Sequence, residues 1–291
     1  MQSQDVLRLY EEGYRDFKGL HLVDADFSGQ ILVGVNFVGS DLTGANFSRT
    51  FLTKANFANA NLSRANLKFA KISDSRFTQA TLTKATLQGA FGVRANFNRA
   101  RASGAYMAHI NLRAAQLRGA NFSGSNLTGA NLRNANLIET NFSWANLSGV
   151  RLAGGAIART NFSHSKLDRA FLNGLNFNGQ SLSGVSFKEA RLKGASFREA
   201  DLIAANFREA SLQNSDFQDA QLAGANFDHA HLHKAKFNRA DLRRVELQNV
   251  DWLDADLTGA CFGELGRPSI VPGRAAHPSA HQSAHQQSMA S

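Results

Sequence analysis

The stretch Ala120-Asn121-Phe122-Ser123-Gly124-Ser125-Asn126-Leu127-Thr128-Gly129-Ala130-Asn131-Leu132-Arg133-Asn134 decides the fold. It is one five-residue unit written three times: a small residue, an Asn, a Leu or Phe, and two polar or turn-forming residues. The frame holds in both directions. From Phe17 to Phe262 it runs without a slip, giving 50 units over residues 15–264. The central position is Leu in 26 and Phe in 18, the other six being Ile72, Gly92, Ala102, Met107, Ile157 and Trp252. Two residues earlier the position is Ala in 30 of the 50.

A period of five fits neither a helix nor a long strand. At 100° per residue, five steps rotate the chain by 140°, so the Leu/Phe positions would wind around a helix instead of forming a stripe. In an extended chain five is odd, and successive Leu/Phe would change faces. The pattern closes if each unit is a short extended piece followed by a corner. The small residue and the Leu/Phe then point inward and the residue between them points out. Of 24 glycines, 18 sit two residues after the centre, where a turn calls for positive φ. The outward residue before the centre is Asn or Asp in 25 units, a side chain suited to bonding nearby backbone.

This A(N/D)LxX repetition resembles the pentapeptide-repeat family over about 250 of the 291 residues. The resemblance implies an all-β chain: a right-handed quadrilateral β-helix, four pentapeptides to the coil and about 12.5 coils. At roughly 4.8 Å per coil the rod is about 60 Å long. The expected organisation is a capping helix in 1–14, the β-helix in 15–264 and a flexible low-complexity tail in 265–291. Ser3 or Asp5 is the expected N-cap, with Val6, Leu7, Leu9 and Tyr10 as the apolar face and Gly13 as the stop. The leader Leu9–Phe17 is similar to that of cyanobacterial members. At the far end either Ile270 and Val271 fold back over the last coil, or a second subunit covers it and the chain is a homodimer.

Phe17, Phe27, Phe37, Phe47 and Phe57 alternate with Leu, which puts Phe on two opposite faces, and the same phase returns from Phe177 to Phe237. In between, Phe122, Phe142 and Phe162 follow a face that belonged to Leu. The stretches flanking these changes, 92–107 and 150–157, are expected to bend, bulge or form a loop.

No catalytic chemistry stands out. His229, His231 and His233 crowd together, but as variable surface positions, and His277, His281 and His285 fall in a segment broken by Pro278. The single cysteine, Cys261, lies outward with no histidine beside it and excludes a disulfide framework. The glycines are corner residues and open no phosphate-binding helix. The chain is therefore expected to be non-enzymatic, to need no cofactor or metal, to lie in the cytoplasm and to insert in no membrane.

Charge is more informative. The net charge is +9, yet residues 42–138 hold 13 Lys/Arg and one acid, Asp74, whereas residues 139–264 hold 14 Lys/Arg and 15 Asp/Glu. With four units to the coil, Lys54, Lys71, Arg94, Arg113 and Arg133 share one face. That basic face points to an acidic protein partner docking on a rod or scaffold. Nucleic acid is the alternative, opposed by the commitment of nearly all Phe side chains to the interior. The topoisomerase-shielding DNA mimicry known in the family is disfavoured, because it needs an acidic surface.

Overall fold

The computed structural model describes residues 1–263. The expected tail in 265–291, with Ile270 and Val271, lies outside them. One helix opens the chain, α1 (Ser3–Glu11). Its N-cap is Gln2 rather than Ser3 or Asp5, and Asp5 accepts the Gln2 N–H at 2.9 Å from three positions on. That placement uses Asp5 against the helix N-terminus, where a carboxylate is favoured. The helix ends two residues before Gly13, whose φ of +101° turns the chain away. Val6 is buried in the core, with Leu7, Leu9 and Tyr10 packed against it, so α1 covers the apolar end of the first coil.

From Asp16 to Cys261 the chain winds through parallel pairings between residues 20 apart, four units to each turn. The unit around Leu42 shows why the sequence does this. Asp41 N–H donates to Leu20 O in the coil before, at 2.8 Å. Leu42 N–H and Gly44 N–H donate to Asn61 O and Ser63 O in the coil after, at 2.8 and 2.9 Å. Ala45 N–H closes the corner on Leu42 O at 3.0 Å. The fifth donor, Thr43 N–H, bonds the Asp41 side chain at 3.1 Å. Asn or Asp before the centre thus completes the backbone accounting that burial demands. Ala at the small position and Leu or Phe at the centre are buried along nearly the whole rod.

Every described corner has positive φ, in 31 residues other than glycine as well as in the 18 glycines of that position. Lys, Arg and Glu occur among them. Such a residue gives up about 1 kcal/mol to left-handed geometry. The corner N–H recovers this by joining the ladder, as Lys54 N–H does to Ser73 O at 3.0 Å. Phenylalanines stack coil on coil, Phe27 on Phe47 at 5.1 Å and Phe37 on Phe57 at 5.6 Å, which places Phe on two faces as the alternation predicts.

The two irregular stretches behave differently from expectation and from each other. Through 92–107 there is no loop: Gly92 N–H bonds Asn111 O at 2.8 Å and every pairing of the ladder persists. Gly92 and Ala102, on opposite faces, vacate core volume where the Phe columns change. A Cβ on Gly92 would lie 3.1 Å from both Ile72 and Leu112 side chains, so its neighbours have moved into the space. At 150–157 there is no loop either, but the ladder opens. Of 46 pairings from residue 16 to residue 241, 44 form; those missing are Ala156 with Asn176 and Asn161 with Ser181. No small centre relieves this crossing. Phe162 ends one column edge-on to Phe177, 6.2 Å away on the adjoining face.

Candidate interaction surface

The ladder settles which outward side chains are neighbours. Phe51 pairs with Lys71, Lys71 with Phe91, Phe91 with Asn111 and Asn111 with Asn131. The units 50–54, 70–74, 90–94, 110–114 and 130–134 therefore stack on one face. Lys54, Lys71, Arg94, Arg113 and Arg133 are all exposed on it, as the four-unit register predicts. The same face carries Asp74, which stands between Lys54 and Arg94. Arg94 grips it with two bonds, Nε to Oδ1 at 2.8 Å and Nη2 to Oδ2 at 2.9 Å. This holds the Asp74 carboxyl below the usual range, with burial opposing and Lys54 assisting. Arg94 is thus spent on an internal pair, and the unengaged charge of the face rests on the other four.

Sequence reasoning missed the aromatic component. Four phenylalanines lie off the central position, and Phe51, Phe91 and Phe171 fall on this face, in the outward column of Lys71. Phe51 and Phe91 are 46% and 43% exposed, and Ile31 in the same column is 64% exposed. Lys71 Nζ sits 5.7 Å from the Phe91 ring centre, and Arg191 lies 4.6 Å from that of Phe171. The signal was available as Phe at positions congruent with the outward column.

Of the 13 Lys/Arg in 42–138, two have a carboxylate within 4.0 Å among the described residues: Arg94 with Asp74, and Arg118 with Glu139 at 3.4 Å. Eleven have none. In the second half the charges cancel within the rod, for instance Arg239 with Asp219 at 2.6 Å and Arg243 with Asp241 at 2.7 Å. Hydrogen bonds lower carboxyls further along. Asp256 accepts from Asn238 Nδ2 at 2.6 Å and from Thr258 Oγ1 and N–H at 2.7 and 3.0 Å, which pulls its pKa from 3.8 to about 2. A carboxyl depressed by folding stabilises the fold above its unfolded pKa, and loses that effect as pH falls through its folded value. The thermal midpoint of the protein is expected to fall between pH 4 and pH 2. The difference between wild type and Asp256→Asn should shrink over that window; melting curves across it check this.

Elsewhere the surface offers less. His231 is exposed, His233 is half-buried with an unpartnered Nδ1, and Cys261 is exposed. Among the described residues no three His, Cys, Asp or Glu side chains converge for a metal, and no helix is long and apolar enough to cross a membrane. His277, His281 and His285 lie outside the described residues.

Family models described as pentapeptide repeats (8 copies) match between residues 21 and 154, and one described as a pentapeptide repeat region matches 175–247 and 192–265. No curated protein matches the chain. Among solved structures it is similar to HetL, a pentapeptide repeat protein involved in heterocyst differentiation regulation from the cyanobacterium Nostoc sp. strain PCC 7120. That likeness has 24% identity and a TM-score of 0.39 over 91% of this chain and 98% of that one. Rfr23 from the cyanobacterium Cyanothece 51142 is 23% identical over 56% of this chain and 97% of that one, with a TM-score of 0.23. QnrB1, a plasmid-mediated fluoroquinolone resistance protein, is 17% identical over 83% and 92%, with a TM-score of 0.30.

Proposed function

Since the chain belongs to the pentapeptide-repeat family, a fold of right-handed β-helices, we propose that it is a non-enzymatic cytoplasmic rod that docks an acidic protein partner. The docking face is the one bearing Lys54, Lys71, Arg113 and Arg133. One observation carries the reading: eleven basic side chains of the first half have no carboxylate partner among the described residues, while Ile31, Phe51 and Phe91 stand exposed along one edge of the richest face. Apolar side chains supply area at the centre of an interface, and surrounding cations supply steering and register. A ladder with coils hydrogen-bonded on all four faces holds these groups at fixed spacing before the partner arrives, which lowers the ordering cost of binding.

Nucleic acid is the second reading, and Phe51 and Phe91 favour it more than the sequence alone did. Their rings are exposed beside cations, as single-strand binders require. Mimicry of DNA by this chain is opposed by the same surface, which is positive over residues 42–138.

Capture from a lysate of the source cells, with and without nuclease, separates the first two readings. The partner is expected to survive nuclease. The fourfold charge reversal K54E/K71E/R113E/R133E should then weaken its binding on the order of 100-fold, because like charges now face the acidic patch. Binding that vanishes with nuclease and falls steeply with salt assigns the face to nucleic acid. A protein partner indifferent to the reversal removes this face from the interface.

A further inference from the structure

Among the described residues, the opening in the ladder is the one place between residues 36 and 242 where the coil-to-coil backbone pairing lapses. On the upper lip the N–H groups of Gly154, Ile157, Arg159, Phe162 and His164 lack the partners that their counterparts have one coil away. On the lower lip those of Asn176 and Ser181 do. Between the lips lies a cavity of about 830 Å³. The other two faces stay closed, with Arg151 paired to Phe171 and Lys166 to Ser186. The bonds beside the opening lengthen, Leu152 N–H to Phe171 O at 3.1 Å and Ser186 N–H to Ser165 O at 3.2 Å. The coils therefore part like a wedge hinged on two faces.

The sequence builds this wedge. In the coils above, Thr140 and Thr160 occupy the small position and donate to Leu117 O and Leu137 O, at 2.8 and 2.7 Å. The next residue of that column is Gln180, whose longer arm reaches Ile157 O at 3.0 Å across the gap. Its Oε1 is buried with no donor. The pattern Phe-x-Gly-Gln-x-Leu-x-Gly-Val-x-Phe at 177–187 otherwise occurs at 27–37, in the coils that begin the rod. The lower lip is thus written as a starting coil, and the cavity is a junction between two solenoids.

We infer that this junction is a binding cleft for an extended peptide segment, which it takes up as an added rung hydrogen-bonded to both lips. The occupant follows from the chemistry. Donors and acceptors on two facing edges are matched by main chain that is extended along each open face and turns once at the corner that Arg159 makes. A helix, about 10 Å across, is too wide for a wedge still closed on two sides, whereas a strand needs about 4.8 Å of added separation. The lining, with Gly155, Ala156, Ala158, Gly179 and Ser181 in it, favours uncharged side chains, since its one charged residue, Arg159, is paired with Glu139 at 3.0 Å. Trp144, 69% exposed and stacked on His164 at 4.3 Å, stands beside the end of the upper lip and offers an aromatic anchor. This cleft is separate from the basic face and independent of the partner assigned to it.

Amide exchange on the full chain, read by NMR, tests the inference with an acetylated, amidated hexapeptide of alternating Thr and Ala as the probe. In the free protein the amides of Ile157, Phe162, Asn176 and Ser181 should exchange about 100-fold faster than those of Leu137, Phe142, Ser196 and Asp201, which hold the same places in neighbouring coils. At about 10 mM probe they should slow on the order of 10-fold, and a backbone N-methylated probe should leave them unchanged. Equal protection in the free protein would mean a closed ladder and overturn the cleft. Fast exchange that the probe does not slow, or that the N-methylated peptide slows equally, would overturn strand uptake.

Discussion

Phe207→Ala is expected to destabilise the rod by about 3–5 kcal/mol, the cost of emptying a fully buried aromatic position. Phe207 has no exposed surface and lies 5.0 Å from the Phe187 ring above and 4.9 Å from the Phe227 ring below, both stacked. Phe197 and Phe217 meet it edge-on at 5.7 and 5.6 Å. Truncation breaks four aromatic contacts at once and leaves a void that the ladder cannot collapse, because the hydrogen bonds of each coil fix its distance to the next. Ile203→Ala, an exposed position one unit earlier, should change stability by no more than about 0.5 kcal/mol. Melting curves of the two variants check this, with a fall on the order of 10 °C for the first and almost none for the second.

How far the fold could be read without coordinates follows from the same columns. The five-residue frame dictates which residues point inward, and Ala45, Leu42 and Phe47 are buried as that frame requires. The Asn and Asp before the centre were legible as backbone partners, though not as acceptors for one particular donor, the N–H two residues on. The frame placed a corner in every unit, and its positive φ was legible where the corner holds glycine. At Lys54 or Glu209 the positive φ was not, because it is repaid by a bond to the next coil that no local pattern records. The phase changes of Phe were visible, but their outcomes depend on volume across the core. Gly92 and Ala102 absorb one change, and nothing small stands at the other.

The candidate surface divides in the same way. Its register, and so the company of Lys54, Lys71, Arg113 and Arg133, came from counting by twenty. The bidentate grip of Arg94 on Asp74 did not, since both are corner residues whose side chains meet along the rod axis. Phe51 and Phe91 were hidden by the number of Phe at the centre: 18 of 22 being core, the remaining four drew no notice.

Deletions in whole units should separate what the backbone needs from what the core needs. The units from Ser186 to Asp241 all have the same coil-to-coil backbone bonds, so removing Asn206–Ala210, Asn206–Ser215 or Asn206–Ala225 preserves the ladder pattern equally. The core has a longer period. In this part of the rod Phe and Leu alternate unit by unit, so Phe meets a Phe column after ten residues, on the opposite face, and after twenty, on its own, but not after five. The ten- and twenty-residue deletions keep Phe over Phe below the cut, as Phe187 lies over Phe207 and Phe197 over Phe217. The five-residue deletion sets Phe over Leu on every face at the cut, the mismatch that already stands at Phe162 and Phe177, and forfeits about 0.5–1.5 kcal/mol for each stacked pair lost. It is therefore expected to open the ladder near residue 206 and to melt well below the shorter chains that lack ten or twenty residues. Melting curves and amide exchange of the three chains decide it. A five-residue deletion as stable as the other two would mean that backbone pairing alone holds the coils in register.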